Sequence, residues 1–415
     1  ADAGQLLATV PNDASTVVVI NMKSLLEKAG CKVSDDKITP GDDLRNFIDR
    51  KVKGQYLEDI QSIFDGQTGV DPSVACFYQV GYYYYLTGNL ADPAKFKEAV
   101  KKKTGASFST EAGIDICRNI AVSNSRFWVN LEQGSIDPKE VKHFTGLDSS
   151  QSFMNNPYSE QLSNFDDDIE GWGNIKGILN TMGLSFLSRT QYEMAIQTAF
   201  EDPYALTFSL EFEKGKADVE VGVLNSKSKP AKFNLPTGKI DTDAVASIGG
   251  TTTGLVAVAV PNKLVKKLLD ETKSKAPSVI GAYLEVFKGL DGTCAFSYDE
   301  QGAVNGLITT TGEDLTQLSD MLGQNGVNVN KEGNILRLTK GNVTGSAEVA
   351  ALAPEFKGAM IGFAMYDPKE FDLAKDGVAS VVGKLSPESG SLKMTLTLNG
   401  SNDSENFLLT LIKAQ

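Results

Sequence analysis

A run of acidic residues is the part of this sequence richest in side chains that could do chemistry. The segment NFDDDIEGW (164–172) contains Asp166, Asp167, Asp168 and Glu170 beside Trp172. Clustered carboxylates bind Ca²⁺, which makes Asp166, Asp168 and Glu170 candidate cation ligands. A pair such as Asp167 and Glu170 also suits glycosidase chemistry if the carboxyl groups lie about 5–10 Å apart. The structural alternative is an acidic turn before a strand, with Trp172 in the core.

Four consecutive tyrosines form a second candidate site, in GYYYYLTG (81–88). Successive strand residues point to opposite faces of a sheet, so Tyr83 and Tyr85 share one face. These two rings are candidates for binding a ligand such as a sugar, with Trp128 or Trp172 as a further aromatic contact. Tyrosine is also favoured in strands for packing alone, which is the structural alternative.

Other catalytic constellations are missing from the sequence. It contains one histidine, His143, so a histidine metal cluster is impossible, and a Ser-His-Asp or Cys-His site would need this residue. His143 lies among surface-like charges in EVKHFTG (140–146), where we expect no catalytic role. No GxSxG, P-loop or EF-hand pattern occurs. We therefore expect no catalytic residues, no metal and no cofactor.

Composition limits the classes of partner. The 415-residue chain has a net charge of −13, from 53 acidic and 40 basic residues, which disfavours nucleic acid. Its longest clean apolar run, GLVAVAV (254–260), is far shorter than the ~20 residues of a membrane-spanning helix. No CxxC pair is present, which excludes a zinc ribbon. Three complete disulfide pairings remain open for the four cysteines, Cys31, Cys76, Cys117 and Cys294.

The elements that would position these residues occur twice. STVVVINMKSLLEKAG (15–30) and GLVAVAVPNKLVKKLL (254–269) align without a gap, each as a strand followed by a helix. In this alignment Val17 is matched with Val256. A charged amphipathic helix is predicted next in each half, at 42–66 and 276–292, and then a hairpin running into a helix, in which Phe77 aligns with Phe296. Each half is predicted to close with a long alternating hairpin, at 206–224 and 391–412. Period-two alternation over such lengths predicts antiparallel sheet.

We therefore predict an α+β fold of two tandem homologous domains, each a mainly antiparallel sheet with helices packed on it. The first domain covers 1–228, with insertions near 132–165 and 184–200, and the second covers 238–415. A segment rich in Pro, Lys and Gly between them is typical of a linker.

The duplication also bears on the tyrosines. In the second half Thr309 and Thr311 correspond to Tyr85 and Thr87. Because threonines suggest a partly wet surface, we expect the face that carries Tyr83 and Tyr85 to reach solvent, a partner or a ligand.

The opening of the chain resembles the signature of a Bacteroidetes family of envelope lipoproteins of unknown function. In that family a lipobox leader precedes P-x-D-A-x-x-V-V-x-I-N and a helix LLxKAG, and the matching residues here are Pro11, Asp13, Ala14, Val18, Ile20, Asn21, Leu25, Leu26, Lys28 and Gly30. The segment NPYSEQLSNFDDDIEGW is similar to the family's Asn-Pro…Asp-Ile segment through Asn156, Pro157, Asp168 and Ile169. The resemblance implies export to the periplasm or outer membrane, with a lipidated cysteine just before or near Ala1. It supplies no catalytic residues.

Three functional hypotheses follow. The first is a non-enzymatic envelope lipoprotein that works as a binding or assembly module, with an envelope protein or a glycan as partner and membrane contact only through the lipid anchor. The second is a glycan-binding protein that uses Tyr83 and Tyr85. The third is a hydrolase that uses carboxylates such as Asp167 and Glu170.

Overall fold

The structure is a computed structural model and describes residues 1–34, 37–51, 68–249, 253–275, 284–312, 315–342, 348–366 and 377–415. The chain forms two compact units. The first contains residues 1–197, 202–231 and 401–415, and the second contains 198–201 and 232–400. Each unit is an antiparallel sheet with helices packed on it, which confirms the predicted α+β class.

Strands of the first unit follow the alternation of the sequence. Val17 and Val19 are fully buried on one face of the first strand, because their side chains point to the same side. The strands are β1 (Thr16–Asn21), β2 (Lys32–Ser34), β3 (Lys37–Thr39), β4 (Val70–Val80), β5 (Tyr83–Leu90), β6 (Ser109–Glu111), β7 (Ile114–Cys117), β8 (Ile120–Ser123), β9 (Arg126–Asn130), β10 (Ile169–Asn174), β11 (Pro203–Glu213) and β12 (Lys216–Asn225). All pair antiparallel, in the order β6-β7-β8-β9-β5-β4-β1-β10-β11-β12, and β2 pairs with β3 apart from them.

Helices of the first unit begin where the sequence supplies caps. The Asp92 carboxylate accepts a hydrogen bond from the Lys95 amide at 3.0 Å, Pro93 takes the first helical position, and Gly105 ends the helix in the left-handed conformation. The helices are α1 (Gly4–Leu7), α2 (Met22–Lys28), α3 (Asp42–Lys51), α4 (Pro93–Thr104), α5 (Pro138–Thr145), α6 (Ser159–Ser163), α7 (Ile175–Thr181) and α8 (Phe186–Ala199). A single 3₁₀ turn covers Phe153–Asn155.

The second unit repeats this style of construction. Its strands are β13 (Gly254–Val260), β14 (Leu290–Tyr298), β15 (Val304–Thr310), β16 (Asn328–Glu332), β17 (Ile335–Lys340), β18 (Ile361–Tyr366), β19 (Val378–Glu388) and β20 (Ser391–Gly400). Its helices are α9 (Thr242–Ala246), α10 (Asn262–Lys273), α11 (Thr316–Gln324) and α12 (Glu348–Leu352), with 3₁₀ turns at Glu285–Phe287 and Ala353–Phe356. Helices α9 and α12 cover one sheet face, where Val245, Val349 and Phe356 pack on Leu255 and Ala257.

The two sheets share one order of strand connection. The first contains β9-β5-β4-β1-β10-β11-β12, and the second contains β17-β15-β14-β13-β18-β19-β20 in corresponding places. Homology of the two halves stays a prediction. The gapless alignment, however, is out of register, because it pairs fully buried Val17 with Val256, which is 36% exposed. A shift of one residue moves a strand side chain to the other face.

The end of the chain differs from the prediction. A second strand was expected after the turn at 400–406, but Phe407–Ala414 form a helix, α13, which belongs to the first unit. The Asn406 side chain caps it by accepting a hydrogen bond from the Leu408 amide at 2.9 Å. Its inner face buries Phe407 and Ile412, and Ile412 packs in a small cluster with Ile48 of α3. The closing hairpin of the second unit is β19–β20 instead.

The structure describes the other predicted segments in whole or in part. The insertion near 132–165 contains α5 and α6, and α8 covers most of 184–200. Of the helix predicted at 42–66, α3 accounts for Asp42–Lys51, and the rest lies outside the described residues. The helix predicted at 276–292 lies partly outside them, and β14 already begins at Leu290.

Candidate functional site

The acidic run lies where β10 begins, beside β1 and β11. We call Asp166, Asp167, Asp168, Glu170 and Glu211 the acidic corner. Pairing of β10 with β11 places Glu170 opposite Ser209, and pairing with β1 places it opposite Val19. Asp168, Glu170 and Trp172 alternate with the residues of the other face, as their spacing of two requires. All three are buried, whereas Asp166 is exposed.

Asp168 is held by three donors of the protein. Its carboxylate accepts hydrogen bonds from Ser24 Oγ at 2.6 Å, Lys28 Nζ at 2.8 Å and the Phe212 amide at 2.8 Å. Lys28 also contacts Glu211 Oε1 at 2.7 Å, and Glu211 Oε2 accepts from the Asp168 amide at 2.9 Å. The Asp168 side chain is 1% exposed and that of Lys28 is 21% exposed. The group therefore links α2, β10 and β11 as a partly buried ion-pair network.

The charges in this network shift one another's titration. Burial alone lowers the pKa of Lys28, but its hydrogen bonds to Asp168 and Glu211 outweigh that effect and raise it. Burial raises the pKa of Glu211, and the hydrogen bond from Lys28 opposes the rise. This arrangement serves to hold strands and helix together, because its oxygens are already occupied by the chain's own donors.

The predicted cation site is not assembled. Asp168 is occupied by Lys28, Asp166 points to solvent, and Glu170 is buried behind the turn. Within the described ranges no three Asp, Glu, His or Cys side chains converge in a geometry that could hold a metal ion. The lysine, which lies 140 residues before Asp168, supplies the positive charge that a cation would have supplied.

The hydrolase hypothesis needs two carboxyl groups that reach a substrate, and Glu170 does not meet this requirement. Glu170 is 7% exposed and its Oε2 atom is fully enclosed. Burial raises the pKa of Asp167, against a hydrogen bond from Ser209, and the Glu220 charge adds to the rise. The raised pKa of Asp167 is thus explained by its burial beside other carboxylates.

The tyrosine run is divided by the β4–β5 turn. Tyr82 lies in the turn and is 91% exposed, and Tyr83 begins β5 at 42%. Tyr85 is only 2% exposed, with its ring 5.3 Å from that of Tyr78 and 5.2 Å from that of Phe144. The expectation that the face of Tyr83 and Tyr85 reaches solvent is therefore wrong beyond Tyr83, because helix α5 covers it. A role of Tyr83 in ligand binding stays a prediction.

The other aromatic candidates are core residues. Trp128 is 1% exposed and Trp172 is 3% exposed, and the Trp172 ring meets Phe153 edge-on at 5.4 Å. Neither indole offers a stacking surface to a sugar. The glycan-binding hypothesis thus loses both tryptophans and one of its two tyrosines as surface contacts.

All four cysteines are free thiols, so none of the three pairings is formed. Burial raises the pKa of Cys31 to about 11, of Cys76 to about 12 and of Cys294 to about 11. A thiol with such a pKa is a poor nucleophile at neutral pH. These residues act as small apolar core side chains.

Sequence reasoning missed an exposed apolar segment at α8. Its residues and the preceding turn present large side chains to solvent: Met182 is 58% exposed, Phe186 75%, Leu187 67%, Tyr192 54% and Met194 62%. No residue of α8 is buried. The sequence FLSRTQYEMAIQTA could have indicated this exposure, because it is helical in composition but has no single apolar stripe that would pack on a core.

None of the helices that the structure describes is long and apolar enough to cross a membrane. The fold defines the chain as an α+β protein built on antiparallel sheet.

Comparison with known proteins adds little beyond this class. No protein-family model and no curated protein sequence matches the chain. Two solved structures of TP0453, crystal forms I and III, are similar at 12% and 10% identity, with TM-scores of 0.30 and 0.31. Both alignments cover 84% of this chain, and 96% and 97% of TP0453. A third, crystal form IV, covers 53% of this chain and 83% of that one at a TM-score of 0.30 and 10% identity.

Proposed function

We propose that the protein is a non-enzymatic lipoprotein of the cell envelope that binds another protein through helix α8. The observation that carries the binding role is the exposure of Phe186 and Leu187, 75% and 67%, on a helix without a buried residue. Contiguous exposed apolar side chains on a folded protein mark interaction surfaces. The envelope location and the lipid anchor rest on the resemblance of the opening segment to the lipoprotein family.

The composition of α8 favours a protein partner over a lipid surface. Helices that lie on membranes separate a continuous apolar face from a polar face rich in Lys and Arg. Helix α8 has no lysine, and at 100° per residue Leu187 and Met194 fall on one side while Tyr192 falls on another. Protein interfaces instead enrich Phe, Tyr, Met and Arg and deplete Lys and Glu. Arg189 and Glu193 are the charged residues of α8.

The acidic corner and the tyrosine run support the same proposal, because most of their side chains are not available for binding. Asp168 stabilises the fold and Tyr85 fills the core, so the residues with the most suggestive chemistry are engaged inside the first unit. The most exposed large apolar side chain of that unit outside α8 is Tyr82, at the β4–β5 turn. That turn provides a matched control for α8.

The test is site-specific photo-crosslinking in cells that produce the protein. A crosslinkable residue at position 187 is expected to give a protein adduct of one defined size, and the same residue at position 82 is not. With the captured partner purified, the double variant Phe186→Ser/Leu187→Ser is expected to bind at least ~30-fold more weakly, since truncating central interface anchors costs about 2 kcal/mol or more. Tyr82→Ser is expected to bind like the wild type.

Two outcomes would contradict the proposal. Adducts to lipid alone at position 187 would replace the protein partner with a membrane surface. Equal adduct patterns at positions 187 and 82 would show that α8 is merely accessible. Thermal unfolding of both variants shows whether they are folded, and because α8 contributes no buried residue, neither change is expected to alter stability by more than ~0.5 kcal/mol.

A further inference from the structure

Glu170 is a buried acidic side chain without adequate hydrogen bonding. It lies in the middle of the sheet, between Val19 of β1 and Ser209 of β11, neither of which brings a charge. Its Oε1 atom accepts one long hydrogen bond, from the Asp167 amide at 3.5 Å. Its Oε2 atom has no partner among the residues that the structure describes. The residue is only 7% exposed.

The surroundings of Glu170 are predominantly acidic. The charges that act on Glu170 are those of Asp166 and Asp167 in the preceding turn, and Glu170 in turn acts on Tyr158 before α6. On the neighbouring elements, Lys28 of α2 is bonded to Asp168 and Glu211, and Lys216 of β12 is bonded to Glu213 and Asp218. A negative charge on Glu170 would thus be buried, short of donors and close to other negative charges, each of which disfavours ionisation.

We propose that the enclosed Glu170 carboxyl is held in its neutral, protonated form by the folded first unit, and that its ionisation loosens that unit. The proton removes the charge from the enclosed oxygen and leaves the acidic corner with fewer repelling groups. The corner is thereby a pH-sensitive joint between β1, β10 and β11. This role is independent of any partner of α8.

The direction of the pH dependence follows from the titration of this group. Burial raises the pKa of Glu170 above its ordinary value of 4.5, the backbone amides of Asp167 and Asp166 oppose the rise, and the charges of Asp167 and Asp166 add to it. A raised pKa in the folded state means that the folded chain binds the proton more tightly than the unfolded chain. Stability from this source is complete below about pH 4.5 and is lost as the pH rises through the folded value.

The experiment compares unfolding of the full chain and of Glu170→Gln between pH 4 and pH 8. Both tryptophans, Trp128 and Trp172, lie in the first unit, so their fluorescence reports the unfolding of that unit. Relative to the glutamine variant, the wild type is expected to have an unfolding constant that rises by up to tenfold per pH unit above about pH 4.5 and then levels off. Glu160→Gln, an exposed change on nearby α6, is expected to keep a constant ratio to the wild type.

A ratio of wild type to Glu170→Gln that stays constant across this range would overturn the proposal. Should the glutamine variant fail to fold, Glu170→Met supplies a neutral side chain of similar size for the same comparison. In the wild type, NMR titration of ¹³C-labelled glutamate carboxyls is expected to show a resonance that titrates above pH 4.5 and is absent from the methionine variant. If the resonance lost in that variant titrates near pH 4.5, Glu170 is an ordinary ionised carboxylate.

Discussion

Removing the Asp168 carboxylate is the sharpest test of the ion-pair network. In Asp168→Ala, Lys28 keeps its contact with Glu211, the Ser24 hydroxyl loses its acceptor, and the Phe212 amide is left without one. The substitution removes one partner of a buried pair and leaves the other charge in place. That is the case in which ion pairs affect stability most, because the remaining charge has lost its compensation.

The size of the effect can be worked from these bonds. An unsatisfied buried amide such as that of Phe212 costs about 1–3 kcal/mol, and a hydrogen bond to a charged group contributes about 1.5–3 kcal/mol. The charge term falls in the lower part of its range, because the Lys28 side chain remains 21% exposed and retains Glu211. We therefore expect Asp168→Ala to lower the free energy of unfolding of the first unit by about 2–4 kcal/mol.

Urea unfolding followed by tryptophan fluorescence measures this quantity, since both indoles are buried in the first unit. Asp166→Ala is the matched control, because Asp166 lies two residues earlier in the same turn but is exposed. Its effect is expected to stay within ~0.5 kcal/mol. Lys28→Met and the double variant complete a cycle in which the two losses are expected to be non-additive by at least ~1 kcal/mol.

Two results would refute the account of the network. The first is an Asp168→Ala variant as stable as Asp166→Ala, which would mean that the bonds to Ser24, Lys28 and Phe212 make no net contribution. The second is strict additivity of Asp168→Ala and Lys28→Met, which would show that the two side chains do not stabilise the unit as a pair.

Two further substitutions test the packing. A Cβ atom at Gly171 would overlap the ring of Phe208, so Gly171→Ala is expected to lower the unfolding free energy by about 1–3 kcal/mol in the same urea assay; an unchanged midpoint would show that the ring does not lie over the glycine. Tyr85→Ala is expected to cost about 3–5 kcal/mol and Tyr82→Ala less than ~0.5, because one ring is in the core and the other in solvent; similar losses would contradict the division of the tyrosine run.

Strands were the most predictable part of the fold, because their signal is local. Phe208 and Leu210 alternate with polar residues and pair with Val221 and Val219 across the β11–β12 turn, as period two requires. The same logic failed at Phe407–Ala414. A nearly continuous apolar run is compatible with either a strand or a helix, and the Asn406 cap together with burial of Ile412 decides for the helix.

The acidic corner was predictable as a place but not as a chemistry. The sequence offered an acidic turn before a strand with Trp172 in the core as one interpretation, and β10 does begin at Ile169, just after the acidic run, with Trp172 buried within it. The different roles of Asp168 and Glu170 depend on residues distant in sequence: Lys28 is 140 residues from Asp168, and Glu170 has no comparable partner among the described residues. Asp168 thus forms an ion pair, whereas Glu170, two residues later, is proposed to be protonated. The spacing of the acidic residues contains no information about that difference.

The tyrosine run shows how an inserted element changes the meaning of a strand pattern. Exposure of the face that carries Tyr85 was inferred from Thr309 in the other half of the chain. The alignment behind that inference also matched Phe77 with Phe296, whose cross-strand partners are Leu86 and Gly306, so the tyrosines correspond to a stretch nearer the turn.

What covers the face in the first unit is α5, from the insertion near 132–165, which brings the Phe144 ring to 5.2 Å from that of Tyr85. The strand specifies which side chains share a face, but an added layer decides which face is wet. Tyr82 and Tyr83, beyond the reach of that layer, are therefore the only members of the run that the fold leaves substantially exposed. A surface function for the run, if it has one, must be sought at the turn rather than along the strand.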